Sequence, residues 1–299
     1  MNNLDSAICA LHPASPAVGT CERCGAFVCA ACRDTDTPGI CPTCRTRAGQ
    51  VEFPLRASTL TSSAVWNFAS ARFKAEWSTL SVATLLYACG VIAWSFVSGR
   101  VLEATGLQYD PKGAGFTGPV MVATLVNMMA GAFVGNALLS GVFLVSTEVL
   151  DGKKADLGAM GRMGQRVVSV AITGLLASFL FLFLPVMAVG LAGFFLAGAL
   201  GVAGVLLAGL LAVLVLLYGA PALYLAVIDS TLSKRGPAES IQRALELLQG
   251  RWGVAMTTTF TAGLLMVAGV FACCVGVVPA AALGFLMEVT LYRALSSPG

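Results

Sequence analysis

Hydrophobic positions in this chain gather into long unbroken runs that begin near Ser78 and continue almost to the end, while ionisable residues cluster before Ser78 and in short intervening loops. A membrane-spanning helix needs about 20 apolar residues in succession. On that measure the sequence predicts six spans: Thr79–Val97, Pro119–Leu150, Val167 to about Gly190, about Gly201 to Ile228, Val254–Cys273 and Val277–Ala294. Residues 167–228 contain no polar loop. As one helix they would reach roughly 93 Å at ~1.5 Å per residue, so a turn must divide them. The glycines at 190, 193, 198, 201 and 204 are suited to that turn and to close packing, and Gly131-x3-Gly135 offers a small-residue contact surface.

Basic residues set the expected orientation. Lys153, Lys154, Arg162 and Arg166 precede the third span, and Lys234, Arg235, Arg243 and Arg251 follow the fourth, so both loops are expected on the cytoplasmic side. Residues 98–118 carry balanced charge and are expected outside. Both termini are then cytoplasmic. An internal repeat at an offset of 81 residues superposes Glu148 on Asp229 and Lys153 on Lys234, and Glu288 with Arg293 repeats the acid-then-base spacing in the last span. These six residues are expected to pair as Glu148 with Lys153, Asp229 with Lys234 and Glu288 with Arg293, anchoring helix ends at the headgroups. An acidic ring at a cytoplasmic mouth is the functional alternative. Asn127 and Asn136 point to opposite faces of the second span. Residues 237–245 read as a short amphipathic loop helix.

Composition agrees with this division: 57% of residues are hydrophobic, 11% are charged and the mean hydropathy is +0.84. Such a chain needs lipid. The first ten residues lack a basic segment followed by an apolar one, so no cleavable signal peptide is expected. Between these ends, residues 49–77 form a linker. Trp66, Ala69, Phe73 and Trp77 share one helical face there, which suits either an interfacial helix or an extension of the first span.

The candidate chemistry lies in residues 1–48. Seven of the ten cysteines fall between Cys9 and Cys44, joined by His12, the only histidine, as Cys9-x2-His12, Cys21-x2-Cys24, Cys29-x2-Cys32 and Cys41-x2-Cys44. A two-residue gap lets both side chains of a pair turn onto one ion, and eight ligands suffice for two tetrahedral zinc ions. Only Val18, Phe27, Val28 and Ile40 could seed an apolar core, so metal must supply the folding energy. Sequential pairing would join the first pair to the second; alternating pairing would join the first to the third and the second to the fourth. A disulfide framework would need an oxidising compartment and would leave one cysteine over. Arg23, Arg33, Arg45 and Arg47 stand among the ligands and can offset thiolate charge. Cys89, Cys273 and Cys274 lie in apolar runs and read as small buried side chains.

The run C-x2-H-x8-C-x2-C-G-x-F-V-C-x2-C-x8-C-P-x-C resembles the B-box zinc fingers, in a form fused to bacterial membrane proteins. It departs from them at Cys41 and Cys44, which replace a His-x2-His pair. The resemblance implies a cross-brace: Cys9, His12, Cys29 and Cys32 on one zinc, and Cys21, Cys24, Cys41 and Cys44 on the other. It also implies a protein-interaction module without catalytic activity. Residues 78–299 loosely resemble six-helix bacterial membrane domains of unknown activity. The expected fold class is therefore a small zinc-stabilised finger attached to an all-α transmembrane bundle in the cell (inner) membrane.

With His12 assigned to metal, serine-histidine proteolysis and His-Glu-x-x-His metalloproteolysis have no residue to use. The expected role is a non-enzymatic adaptor or membrane organiser. Its partners would be the lipid bilayer and a cytoplasmic protein or a second copy. Nucleic acid is not expected, because stacking aromatics are scarce around the ligands. A transporter or channel regulated through the zinc module is the alternative.

Overall fold

The computed structural model describes residues 7–30, 32, 40–41, 44, 53–107, 118–233, 235–271 and 276–297. The chain divides into two compact units: Met1–Thr59 together with Ser296–Gly299, and Leu60–Leu295. In the first, strands β1 (Gly19–Thr20) and β2 (Phe27–Val28) form an antiparallel hairpin with Gly19 opposite Val28 and Thr20 opposite Phe27.

The second unit is helical. Helix α1 (Ser62–Ala104) starts where Thr61 Oγ1 accepts the Ala64 N–H at 3.2 Å, satisfying one of the donors that a helix start leaves free. It consists of two helical segments that meet at a kink at Glu76, whose φ of −129° and ψ of 27° are non-helical, close to the expected linker boundary. Trp66, Ala69 and Phe73 of the expected aromatic face precede the kink and Trp77 follows it. The face is not uniform, since Ala69 is buried whereas Trp77, beyond the kink, is exposed.

Helix α2 spans Gly118–Leu150. Helix α3 comprises Val167–Ser178, a π-helical turn Phe179–Phe183, and Leu184–Leu200. Gly201, at φ +59°, makes the turn into α4 (Val202–Leu232), so the division of the apolar 167–228 stretch falls at a single glycine. The amphipathic stretch is helical as α5 (Pro237–Leu248), opened by Pro237 and by Glu239, whose Oε2 accepts the Gly236 N–H at 3.1 Å. Helices α6 (Trp252–Phe271) and α7 (Val277–Ser296) complete the unit. Six of these helices, all except α5, are long and apolar enough to cross a membrane, which marks the chain as a multi-pass membrane protein.

At the extremes of the six, burial and hydropathy run in opposite directions. Helix α4 is the most hydropathic and the least buried, whereas α7 is the least hydropathic and lies at the centre. Lipid demands apolar side chains more strictly than a protein neighbour does, so the most apolar helices face outward. Phe285 of α7 meets Tyr87 of α1 and Phe143 of α2 edge to face, at centroid distances of 5.8 and 6.2 Å.

Glycine permits close helix approach, though not mainly where the Gly131-x3-Gly135 spacing points. Gly131 meets Trp94 at an ordinary distance and Gly135 faces open space. The tightest contacts are at Gly174, where an added Cβ would lie 2.2 Å from the Asn136 side chain, and at Gly219, where it would lie 2.2 Å from the Phe181 carbonyl oxygen. The second is contact with backbone, in the π-helical turn of α3, and cannot be relieved by a rotamer change. Cys89 is exposed on α1 and is not the buried side chain expected; Cys273 and Cys274 lie outside the described residues.

Gly219→Ala is accordingly expected to destabilise the helical unit by about 1–3 kcal/mol, the usual cost of overpacking. Thermal unfolding in detergent measures it, and Gly209→Ala, at a position with no atom within 4 Å, is the control that should change little.

Candidate metal centre

The hairpin explains how the ligand pairs are sorted. Cys21 and Cys24 occupy the connection between β1 and β2, where the Gly25 N–H bonds the Cys21 carbonyl at 2.8 Å and Gly25 takes φ +72°. Cys29 follows β2 directly and opens a tight turn in which the Cys32 N–H bonds the Cys29 carbonyl at 3.0 Å. The first pair belongs to this open end of the hairpin, because the Ala10 N–H bonds the Phe27 carbonyl at 3.1 Å. A turn closed by Cys9 N–H to Ser15 carbonyl, 3.1 Å, and Ser15 N–H to His12 carbonyl, 2.9 Å, presents Cys9 and His12 together. Pairs one and three thus meet at one end of the hairpin, and pairs two and four at the other.

Two sets of four result: Cys9, His12, Cys29 and Cys32; and Cys21, Cys24, Cys41 and Cys44. Within each set all ligand atoms lie within 4.8 Å of one another. Tetrahedral bonds of ~2.3 Å to sulfur and ~2.0–2.1 Å to nitrogen place neighbouring ligand atoms ~3.6–3.8 Å apart. In the first set Cys9 Sγ is 3.7 Å from Cys32 Sγ, and His12 Nδ1 is 3.2 Å from Cys32 Sγ, 3.5 Å from Cys29 Sγ and 4.0 Å from Cys9 Sγ. In the second, Cys24 Sγ is 3.6 Å from Cys41 Sγ. Each set could therefore hold one metal ion. None of the described cysteines is disulfide-bonded, which sets aside the disulfide framework for these residues.

Backbone donors act on the thiols unevenly. The Cys41 N–H, 3.1 Å from Cys21 Sγ, leads the groups that hold the Cys21 thiol down at about 6. Burial opposes ionisation of Cys9, but the N–H groups of Leu11, Cys29 and His12 outweigh it and lower this thiol to about 6 as well. Burial and the neighbouring Cys9 and Cys29 push Cys32 up to about 12, while Cys24 and then burial push Cys44 up to about 12. In each set, then, a thiol pushed up holds its proton more tightly than one held down. A metal ion must displace those protons. Arg23 Nη1 donates to the Cys44 carbonyl at 3.4 Å, keeping a cation beside the four-thiol set; Arg33, Arg45 and Arg47 lie outside the described residues.

The core of this unit is the ligand set itself. Six of the seven cysteines are buried with Val28, and Ile40 packs against them. Val18 and Phe27, expected to contribute a core, are exposed, as are Ile8 and Leu11. Spacing alone could not show this, because alternation in a two-residue strand carries no inward face until the metal ligands fix one.

The helical unit rearranges the expected acid-base pairs. Glu148 pairs with Arg162, and Lys153 lies 3.7 Å from Asp151. Asp229, fully buried, bonds Arg235 Nη1 at 2.8 Å through Oδ1, so the neighbour of Lys234 is its partner; Lys234 itself lies outside the described residues. The same oxygen accepts the Tyr292 hydroxyl at 2.8 Å, and Oδ2 accepts the Ser233 hydroxyl at 3.1 Å. Arg293 pairs with Asp151 of the turn after α2, not with Glu288. Glu288 is buried eight positions before the end of α7, and neither carboxylate oxygen has a hydrogen-bond partner. The three acids therefore do not form equivalent helix-end anchors. The links from Arg293 to Asp151 and from Tyr292 to Asp229 carried no spacing signal because they join residues 142 and 63 positions apart.

No protein-family model matches this sequence, and no curated protein or solved structure matches it either.

Substitution by serine in pairs tests the sorting of ligands. Cys9→Ser with Cys29→Ser should abolish one metal site and leave one equivalent bound, whereas Cys9→Ser with Cys21→Ser should damage both; elemental analysis of the purified chain counts the ions. Acidification should weaken metal retention as protons compete for the thiols, and a metal content unchanged down to about pH 4 would contradict this. In the helical unit, Tyr292→Phe removes a hydrogen bond to a buried carboxylate and is expected to cost about 1–2 kcal/mol in thermal unfolding.

Proposed function

We propose that this chain is a membrane adaptor: a zinc-folded B-box-like module, held at the cytoplasmic face of the cell (inner) membrane by the helices, captures a protein partner or a second copy of the chain. The observation that carries the reading is the combination of two four-ligand clusters with four large apolar side chains, Ile8, Leu11, Val18 and Phe27, left exposed on the same small unit. Metal organises the module, so these residues are free to face a partner.

Zinc is the metal of choice for a set of three thiols with one imidazole and for a set of four thiols, since tetrahedral thiolate and imidazole ligation suits it and both sets supply all four ligands. Ligation closed in this way leaves no position for substrate, which favours structural over catalytic zinc. The alternating pairing agrees with the cross-brace that the B-box spacing implies. The cytoplasmic location rests on thiol chemistry and on the basic loops. The transport alternative draws little support from the three acids, because Glu148 and Asp229 are engaged by Arg162 and by Arg235.

Affinity capture from native membranes, with and without zinc chelation, tests the proposal. A partner recovered from untreated membranes should be lost on chelation while the chain stays membrane-inserted, and Phe27→Ser should lower recovery at least several-fold with two equivalents of zinc retained. Undiminished capture by the metal-free module would overturn it.

A further inference from the structure

A cavity of about 310 Å³ lies where the turn after α2 meets the start of α3 and the end of α4. Ser140, Val170 and Thr231, all buried, form its floor, and Leu144 gives it an apolar side. Lys153, Arg162 and Arg166 line the rim, where the Lys153 and Arg162 side chains are 62% and 61% exposed. Thr231 lies one residue before the end of α4, and Arg166 one residue before the start of α3. The cavity therefore stands at the ends of helices that are apolar enough to cross a membrane, at the depth of the lipid headgroups.

The two carboxylates of the lining are already engaged. Glu148 pairs with Arg162 through Oε1 and accepts the Asp156 N–H at 3.3 Å through Oε2. Asp151 pairs with Arg293 through Oδ1, and Lys153 lies 3.7 Å from its Oδ2, a loose contact. Asp156, the next acid along the turn, is folded back onto the Gly158 N–H at 2.9 Å. Arg166, half-buried, has no carboxylate partner among the described residues. Arg72 of α1 adds to the positive side: its Nη1 comes within 3.5 Å of where a Cβ on Gly152 would lie, and it sits over the Phe68 ring without a carboxylate partner among the described residues. Even with Asp156 counted, cations outnumber carboxylates around this turn, and the uncommitted ones are on the rim. A basic pocket between membrane helices at headgroup depth is suited to an anionic headgroup.

We propose that this cavity binds the phosphate of an anionic phospholipid, with Arg166 and Lys153 donating to the phosphate oxygens at the rim and the glycerol end of the lipid lying against Leu144. Arg166 offers a planar fork that matches two phosphate oxygens, and Lys153 a point charge on a flexible stem. The Glu148–Arg162 pair stays closed and shapes the wall. A zwitterionic lipid brings a cationic group of its own, which the same rim repels, so net negative charge is selected. Inorganic phosphate has the same oxygens but no apolar body to use the rest of the cavity. The site lies wholly within the helical unit, and its test is independent of zinc.

Native mass spectrometry of the full chain, released from detergent micelles, counts bound lipid directly. Phosphatidylglycerol is expected to bind about ten-fold more tightly than phosphatidylcholine of identical acyl chains. Arg166→Gln and Lys153→Gln should each lower that preference about three- to five-fold. Arg251→Gln removes an uncommitted cation just before α6, outside the cavity, and should leave the preference unchanged. Lys153 is exposed, so its variant decides the matter if Arg166→Gln fails to fold. Equal binding of the two lipids, a preference kept by both rim variants, or an equal loss in Arg251→Gln would each overturn the proposal. Displacement of phosphatidylglycerol by an equimolar amount of inorganic phosphate would also overturn it, by assigning the site to free phosphate.

Discussion

An ionisable group removed from water must find a partner of opposite charge, accept strong hydrogen bonds, or give up its charge. Both units of this chain are arranged around that demand. In the small unit the groups are thiols crowded within a few ångströms, which only a cation can hold together as thiolates. In the helical unit they are carboxylates: Asp229 receives an arginine and two hydroxyls, Asp151 receives Arg293 and Lys153, and Glu148 receives Arg162. These pairs tie the ends of α2, α4 and α7 to the turns that follow α2 and α4. Glu288 stands outside the pattern, buried with no ion-pair partner among the described residues.

Apolar runs were legible because a membrane restricts composition more severely than an aqueous core does. Length alone separated the helices, and a single glycine at positive φ marks the turn hidden in the 167–228 stretch. The ligand clusters were legible for a related reason: metal ligation restricts both residue type and spacing. Their sorting into first-with-third and second-with-fourth was a consequence of family likeness in the sequence, and the structure supplies its cause in a hairpin that carries one pair at its loop and another at its open end.

Partnerships between charges were not legible. The five-residue spacing from acid to base in Glu148-Lys153, Asp229-Lys234 and Glu288-Arg293 suggested local pairs, yet a helix end turns each base by an amount that spacing does not encode. Arg293 reaches a loop 142 positions away, and Asp229 selects the arginine next to the expected lysine. Depth was equally hidden. Glu288 resembles the other acids in sequence, but α7 continues for about two further turns beyond it, which moves it from a helix end into the packed interior. The exposed Val18 and Phe27 belong to the same class of miss, because a module cored by its ligands has no need of an aliphatic centre.

The alternating arrangement of the two clusters also governs the order in which the small unit can assemble. The segment closed by the first cluster runs from Cys9 to Cys32 and that closed by the second from Cys21 to Cys44, so the two loops overlap over the hairpin. Closing either one confines residues that the other must also confine, and the entropy lost in the first closure is not lost again in the second. The two closures are thus coupled by topology: whichever forms first lowers the chain entropy that the second still has to remove.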